Sequence, residues 1–135
     1  MSDGHALFDA QALGADLGNM GTKFLVRRES LAEREYKDML VASSIDYVVL
    51  TRALTGIQAN MLRPSTMAAG LDSGTLGNFV SAATAKEMYG SSGSKEGKRR
   101  LTDIWSAGHL VSAVQAVSSA AHLIAGNRLK YCGER

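Results

Sequence analysis

Residues 2–24, SDGHALFDAQALGADLGNMGTKF, decide how this chain is read. Ala6, Leu7, Ala10 and Leu13 recur at helical spacing, which gives the stretch His5–Leu13 one apolar face. Asp3 stands just ahead of it, where a carboxylate can accept from the unpaired N–H groups of a first helical turn. Gly14-Ala15-Asp16 closes the helix, because glycine tolerates the left-handed conformation of a helix exit. Leu17–Met20 is too short for a second helix and is expected to form a buried strand that ends in a tight Met20-Gly21-Thr22 turn. The bare backbone of Gly21 and the hydroxyl of Thr22 are the groups a phosphate would approach. An ordinary strand exit has the same residues, so both readings stand at this point.

The whole chain sets the outer limits. Its 135 residues suffice for one core, and 45% hydrophobic with 21% charged residues is ordinary for a globular protein. A formal net charge of +2 gives no electrostatic argument for nucleic acid or an anionic membrane as partner. Cys132 is the only cysteine, so no internal disulfide can form, and a reducing, cytoplasmic setting is expected. No apolar run approaches the ~20 residues of a membrane helix. The first residues show no basic region followed by an apolar one, so a secretory leader is not indicated.

Downstream, Phe24-Leu25-Val26 continues apolar and meets Arg27-Arg28. Ser30-Leu31-Ala32-Glu33 has the form of a capping box and predicts a helix from Ser30 to about Ala42. Ala32, Tyr36, Met39 and Leu40 are its expected buried stripe, with Glu33 and Lys37 as an i,i+4 ion pair. Tyr47–Thr51 is aromatic and β-branched and predicts a strand. A second short strand, Ile57–Arg63, stops at Pro64 and forms an irregular hairpin with the first through Leu54-Thr55-Gly56. Ser65–Ala69 is expected to make one helical turn. Leu76, Phe79, Val80 and Ala83 mark a further helix ending near Met88-Tyr89-Gly90. Ser91–Gly97 reads as a mobile loop, and Lys98-Arg99-Arg100 as solvated surface. Leu110, Val111, Val114 and Val117 follow Ser106–His109 at near-helical spacing; Ser118 caps a last helix that frays into a polar tail from Asn127.

The catalytic inventory is thin. His5, His109 and His122 have no neighbouring ligand at metal-binding spacing, so no metal site is assigned. No nucleophile elbow, paired carboxylates or Walker loop is present. Cys132 lacks an adjacent base and reads as an incidental thiol.

The quoted stretch resembles the end of the FMN-binding (β/α)8 barrel of the nitronate monooxygenases, also called 2-nitropropane dioxygenases. That family reads G-G-I-x-D-G, a helix ending in L-G-A-D, and then M-G-T-R-F. ESLAEREYKDMLV resembles the family's helix after the barrel, TGIQANMLRPSTMAAGLD its T-G-x-x-A-N-x-L-R-P-S segment, and IWSAGH its I-W-S-A-G-Q. Inosine monophosphate dehydrogenase and the flavin-dependent enoyl-ACP reductases share the first motif; the later segments favour nitronate monooxygenase. The resemblance implies an α/β fold, the C-terminal part of a TIM barrel carrying its last helix and strand, with an appended and mostly helical segment. Residues 1–28 would end the barrel, 29–90 form the appended helix and short strands, 91–97 the loop, and 98–135 the C-terminal helices.

It also implies FMN as cofactor, with Asn19, Met20, Gly21 and Thr22 as half of the cradle for its phosphate. The implied reaction is oxidative denitrification, in which a nitronate and oxygen yield a carbonyl compound and nitrite while the flavin carries the redox chemistry. The sequence departs from the family pattern in several places. The two glycines of G-G-I and the family's catalytic histidine, which lies in an upstream G-G-H motif, have no counterpart here, so no catalytic residue is assigned. His109 replaces the glutamine of S-A-G-Q, Lys23 the arginine of M-G-T-R-F, and Asn19 a frequent tyrosine or glutamine. A complete barrel takes ~250 residues, so the chain alone is expected to be an inactive, truncated piece. Ser106–His109 would lie near the flavin ring of a complete barrel. A non-catalytic helical interaction module is the alternative from another functional class.

Overall fold

The computed structural model describes residues 1–52, 58–69, 71 and 104–133. The chain divides into two compact units, one built from Met1–Ala42 with Leu110–Arg135 and the other from Ser43–His109.

The first unit is closed by the two ends of the chain. Helix α1 (Gly4–Ala12) begins at Asp3, whose carboxylate accepts from the Ala6 N–H at 3.2 Å, as its capping position predicts. It ends before Gly14, which takes the left-handed conformation with φ 93°. Against it lies the last helix, numbered α5 here (Ala120–Gly133). The helices approach so closely at Gly4 that a β-carbon there would collide with the Asn127 carbonyl oxygen and lie 2.8 Å from Lys130 Cβ. Phe8 and Tyr131 meet edge to face with centroids 5.9 Å apart, Tyr131 hydrogen-bonds Gln11, and Lys130 Nζ reaches Asp3 Oδ2 at 2.9 Å. These contacts correct the expected frayed tail: residues 127–133 are helical because α1 gives them a surface to pack on.

Other expectations in this unit fail for identifiable reasons. Leu17–Met20 is not a strand. A strand needs a neighbour for its backbone groups, and among the described residues none pairs with it. Leu17 is 91% exposed and only Met20 is buried. Gly21 and Thr22 consequently do not leave a strand; they open a short helix, α2 (Gly21–Leu25). Helix α3 (Arg34–Ala42) ends where predicted but starts later than Ser30. Ser30 Oγ accepts from the Ala32 N–H, while Lys37 Nζ donates to the carbonyls of Arg27 at 2.7 Å and Ser30 at 2.9 Å, so residues 27–30 are held in a turn. Lys37 is thereby buried at 8% exposure instead of pairing with Glu33, and the i,i+4 ion pair falls to Arg34 and Asp38.

The segment after His109 is a 3-10 turn (His109–Ala113) and then irregular, in place of the helix its spacing suggests. Val111 and Val114 face inward, and the chain is then drawn out by a parallel bridge between Ser118 and Arg27. Ser119, not Ser118, caps α5, accepting from the His122 N–H at 3.1 Å. Glu29 assists, both carboxylate oxygens accepting from the Ala120 N–H at 3.0 and 3.1 Å.

The second unit contains the predicted hairpin. A 3-10 turn (Ile45–Tyr47) leads into β1 (Val48–Thr51), which pairs antiparallel with β2 (Ala59–Leu62) in the register Val48 to Leu62 through Thr51 to Ala59. Pro64 does not merely stop β2. It occupies the first turn of α4 (Arg63–Ala68), where a missing N–H costs nothing. The other edge of β2 is covered by residues 104–106: Met61 bridges Ser106, and the Leu62 N–H donates to the Trp105 carbonyl at 2.8 Å. Met61 and Ile104 form a small core with Ala59, Ala69 and Leu71, and Leu62 is fully buried. The expected turn at Leu54-Thr55-Gly56, the helix at 76–90, the loop at 91–97 and Lys98-Arg99-Arg100 lie outside the described residues.

Candidate functional site

The four residues assigned to a phosphate cradle stand together at the start of α2, and they divide into two kinds. Met20 belongs to the core: it is buried, and its sulfur accepts from Asn127 Nδ2 at 3.3 Å. Asn19, Gly21 and Thr22 form the outer part. Gly21 is exposed, and a β-carbon there would meet nothing nearer than Asn19 Oδ1 at 3.6 Å, so the main chain is open to an approaching group. The Asn19 side-chain oxygen accepts from the Gly21 N–H at 2.9 Å, and the Asn19 carbonyl accepts from the amino group of Met1 at 3.2 Å. The first N–H to enter the helical ladder is that of Phe24, bonded to the Met20 carbonyl at 3.2 Å. Donors of the first helical turn precede it, as in any helix N-terminus.

Lys23 brings a cation to the same turn. Burial pushes its ammonium below the ordinary lysine value, while the nearby charge of Asp3 acts the other way. Beside the turn lies an apolar groove of about 360 Å³, lined by Met20, Phe24, Leu7 and Ile124 with Asn127 and Arg128 as polar members. An acceptor oxygen, Asn19 Oδ1, already sits on the Gly21 N–H, which is where the oxygen of an anion would sit. The residues present therefore fit half of a phosphate site.

The second unit joins the two downstream motifs, which are far apart in sequence. Ser65 of the L-R-P-S segment is buried; its hydroxyl donates to the Leu62 carbonyl at 2.9 Å and accepts from the Trp105 N–H of I-W-S-A-G at 3.0 Å. On β2, Asn60 Oδ1 is buried and has no hydrogen-bond partner among the described residues. His109, which stands where the family has glutamine, is exposed, as are Ser106 and Gly108.

No family model matches the chain, and no curated protein matches it. Solved structures do. The structure of FabK from Thermotoga maritima superposes with a TM-score of 0.73 at 24% identity, over 99% of this chain and 42% of that one. A single-substitution variant of the same protein gives a TM-score of 0.64 at 20% identity, over 99% and 39%. The chain has the fold of part of FabK. It spans about two fifths of the length of these structures. At this level of identity the likeness establishes how the backbone runs, and both units are included in it.

Two groups of residues escaped the sequence reading. Arg27 is buried, its guanidinium donating to the Lys23 carbonyl at 2.7 Å, the Ala116 carbonyl at 3.3 Å and the Ser118 hydroxyl. Burial pushes its pKa down, partly offset by the charge of Glu29. Lys37 is buried beside it. In the sequence both belong to alternating charges of either sign, and nothing there distinguishes the two that turn inward. The hydroxyl link from Ser65 to Trp105 was missed because the two residues are 40 positions apart. Among the described residues no group of three His, Cys, Asp or Glu side chains is placed to hold a metal ion, and no helix is long and apolar enough to cross a membrane.

Proposed function

We propose that this chain belongs to an FMN-dependent oxidoreductase built on the barrel of the 2-nitropropane dioxygenase-like proteins, and that it supplies half of the flavin's phosphate site. The observation that carries the proposal is the superposition on FabK along 99% of the chain. FabK is a flavin-dependent enoyl-ACP reductase of that barrel family. The motif N-M-G-T, which suggested the same family from sequence, stands at a helix N-terminus with Gly21 open to solvent.

In this reading FMN supplies the redox chemistry when bound. The chain's own part is to hold and orient. The Gly21 N–H and the Thr22 hydroxyl donate to phosphate oxygens, Asn19 Oδ1 yields its place on the Gly21 N–H, and Lys23 offsets the phosphate charge. Met20 anchors the turn through its buried side chain, so that the donors are fixed before a ligand arrives. Such preorganisation is what a bound anion gains most from. The substrate of the complete protein is, by the motifs of the second unit, an alkyl nitronate, with oxygen as co-substrate. Reduction of an enoyl thioester is the second reading, and the similarity to FabK favours it.

A titration tests the cofactor. FMN added to the purified chain up to high micromolar concentration should lose flavin fluorescence saturably, and Thr22→Val together with Gly21→Asp should abolish that change. Absence of any change in the parent chain overturns the proposal for these residues. Nitrite released from a nitronate, against NADH consumed with an enoyl thioester, separates the two substrate readings in a protein that also carries the remaining strands of the barrel.

A further inference from the structure

A cavity within the first unit shares no lining residue with the turn at residues 19–22. It has a volume of about 570 Å³ and is lined by Arg28, Arg34 and Lys37 together with Asp38, Ala32 and Val117. Three of these six side chains are cationic and one is anionic. The carboxylate is partly engaged, lying 3.6 Å from Arg34 Nε in an exposed pair. Glu29, the other acid close to this turn, is turned onto the N-terminus of α5 and does not line the cavity.

Lys37 is the feature that calls for an explanation. It is 8% exposed, and the partners of its ammonium are two neutral carbonyls, Arg27 O and Ser30 O. A lysine has three N–H donors, so one remains after these two bonds. A buried cation without a contacting counter-charge is costly. The position adds to that cost. Arg34 and Lys37 stand in the first two turns of α3, the end of a helix that carries partial positive charge and favours anions. Buried Arg27 adds a further charge from the same turn. A multiply charged anion between Arg28, Arg34 and Lys37 would offset the positive charge that lines this cavity.

We propose that this cavity binds the phosphate of a small phosphomonoester. Three cations suit a dianionic group with three oxygens, and guanidinium side chains at the rim match its geometry in pairs of N–H bonds. The volume is within the ~300–1,000 Å³ typical of small-molecule pockets, more than an inorganic ion needs, so an organic remainder fits beside the phosphate. Ala32 and Val117 give that remainder an apolar wall.

The test uses the full chain, with inorganic phosphate, AMP and adenosine as probes at matched ionic strength. Calorimetric titration should show saturable binding of phosphate, tighter binding of AMP, and none of adenosine. Arg28→Gln combined with Arg34→Gln should weaken AMP at least tenfold. Both residues are exposed, so the variant folds, which circular dichroism verifies. The same tenfold loss from Arg28→Gln with Arg34→Gln should appear in a Thr22→Val background, where the flavin cradle lacks a donor, and this distinguishes the cavity from the cradle. The inference is overturned if phosphate does not bind saturably, if the double variant binds AMP as the parent does, or if Thr22→Val is the change that removes binding.

Discussion

Leu17–Met20 in the first unit and Tyr47–Thr51 in the second are both short stretches expected to be strands, and only the second contains one, Val48–Thr51. Val48–Thr51 pairs residue by residue with Ala59–Leu62, whose other edge is covered by residues 104–106. Leu17–Met20 pairs with nothing among the described residues, and Leu17 points its side chain into solvent. Composition contributes to the contrast, since Tyr47–Thr51 is β-branched and aromatic whereas 17–20 contains glycine and asparagine. The deciding term is the partner. In a closed barrel a strand at 17–20 would lie between two others, and its apolar residues would face a shared core.

The sharpest way to test the contrast is to truncate one leucine from each region. Leu62→Ala removes a fully buried side chain at the end of β2, and should cost about 3 kcal/mol of unfolding free energy in urea titration. Leu17→Ala should change stability by no more than about 0.5 kcal/mol, as for an ordinary surface site. Equal effects would show that residues 17–20 are packed in solution. Next in size is Ser65→Ala, which removes the Oγ acceptor from the part-buried Trp105 N–H and should cost about 1–3 kcal/mol. Trp105 is the only tryptophan, so its fluorescence reports directly on whether the 104–106 edge stays attached.

A further test concerns the clasp between α1 and α5. The hydrogen bond from Lys130, followed by that from the Ala6 N–H, holds the Asp3 carboxyl below its ordinary value of 3.8. The stabilisation is therefore present above about that pH and is lost as pH falls through the lowered folded value. Glu29 acts in the same direction through its hydrogen bonds to its own and the Ala120 backbone N–H groups. Asp3→Ala should cost about 1 kcal/mol at neutral pH, as loss of an N-cap does. In an acid titration monitored by circular dichroism it should also flatten the lower end of the transition. The hairpin register should be indifferent to that change.

The parts of the fold legible in the sequence are those set by neighbours a few residues away. The Asp3 cap, the left-handed Gly14, the end of α3 at Ala42 and the pairing of the hairpin all follow from local chemistry, whereas the start of α4 at Arg63, with Pro64 inside it, does not. Features that depend on distant residues were hidden. Lys37 looks like half of a surface ion pair until residues 27–30 turn over it. The polar run from Asn127 looks like a tail until Asp3, Phe8 and Gln11 meet it. The candidate site divides in the same way: the bare Gly21 was visible as a residue type, whereas its place at the start of a helix, with Asn19 already on its N–H, was not.

The make-up of the first unit from both ends of the chain also sets an order of events during synthesis. The second unit is one uninterrupted stretch of chain, so β1, β2 and residues 104–106 can meet without waiting for α5. Asp3 must wait for Lys130, 127 positions later, and Gly4 for the backbone of Asn127. Helix α1 is therefore exposed for most of the time the chain is being made, with its apolar side uncovered, and the last fourteen residues of helix close the structure. Translation that halts before α5 leaves a product with a finished second unit and an open first one, the state in which a chaperone or a protease would find it.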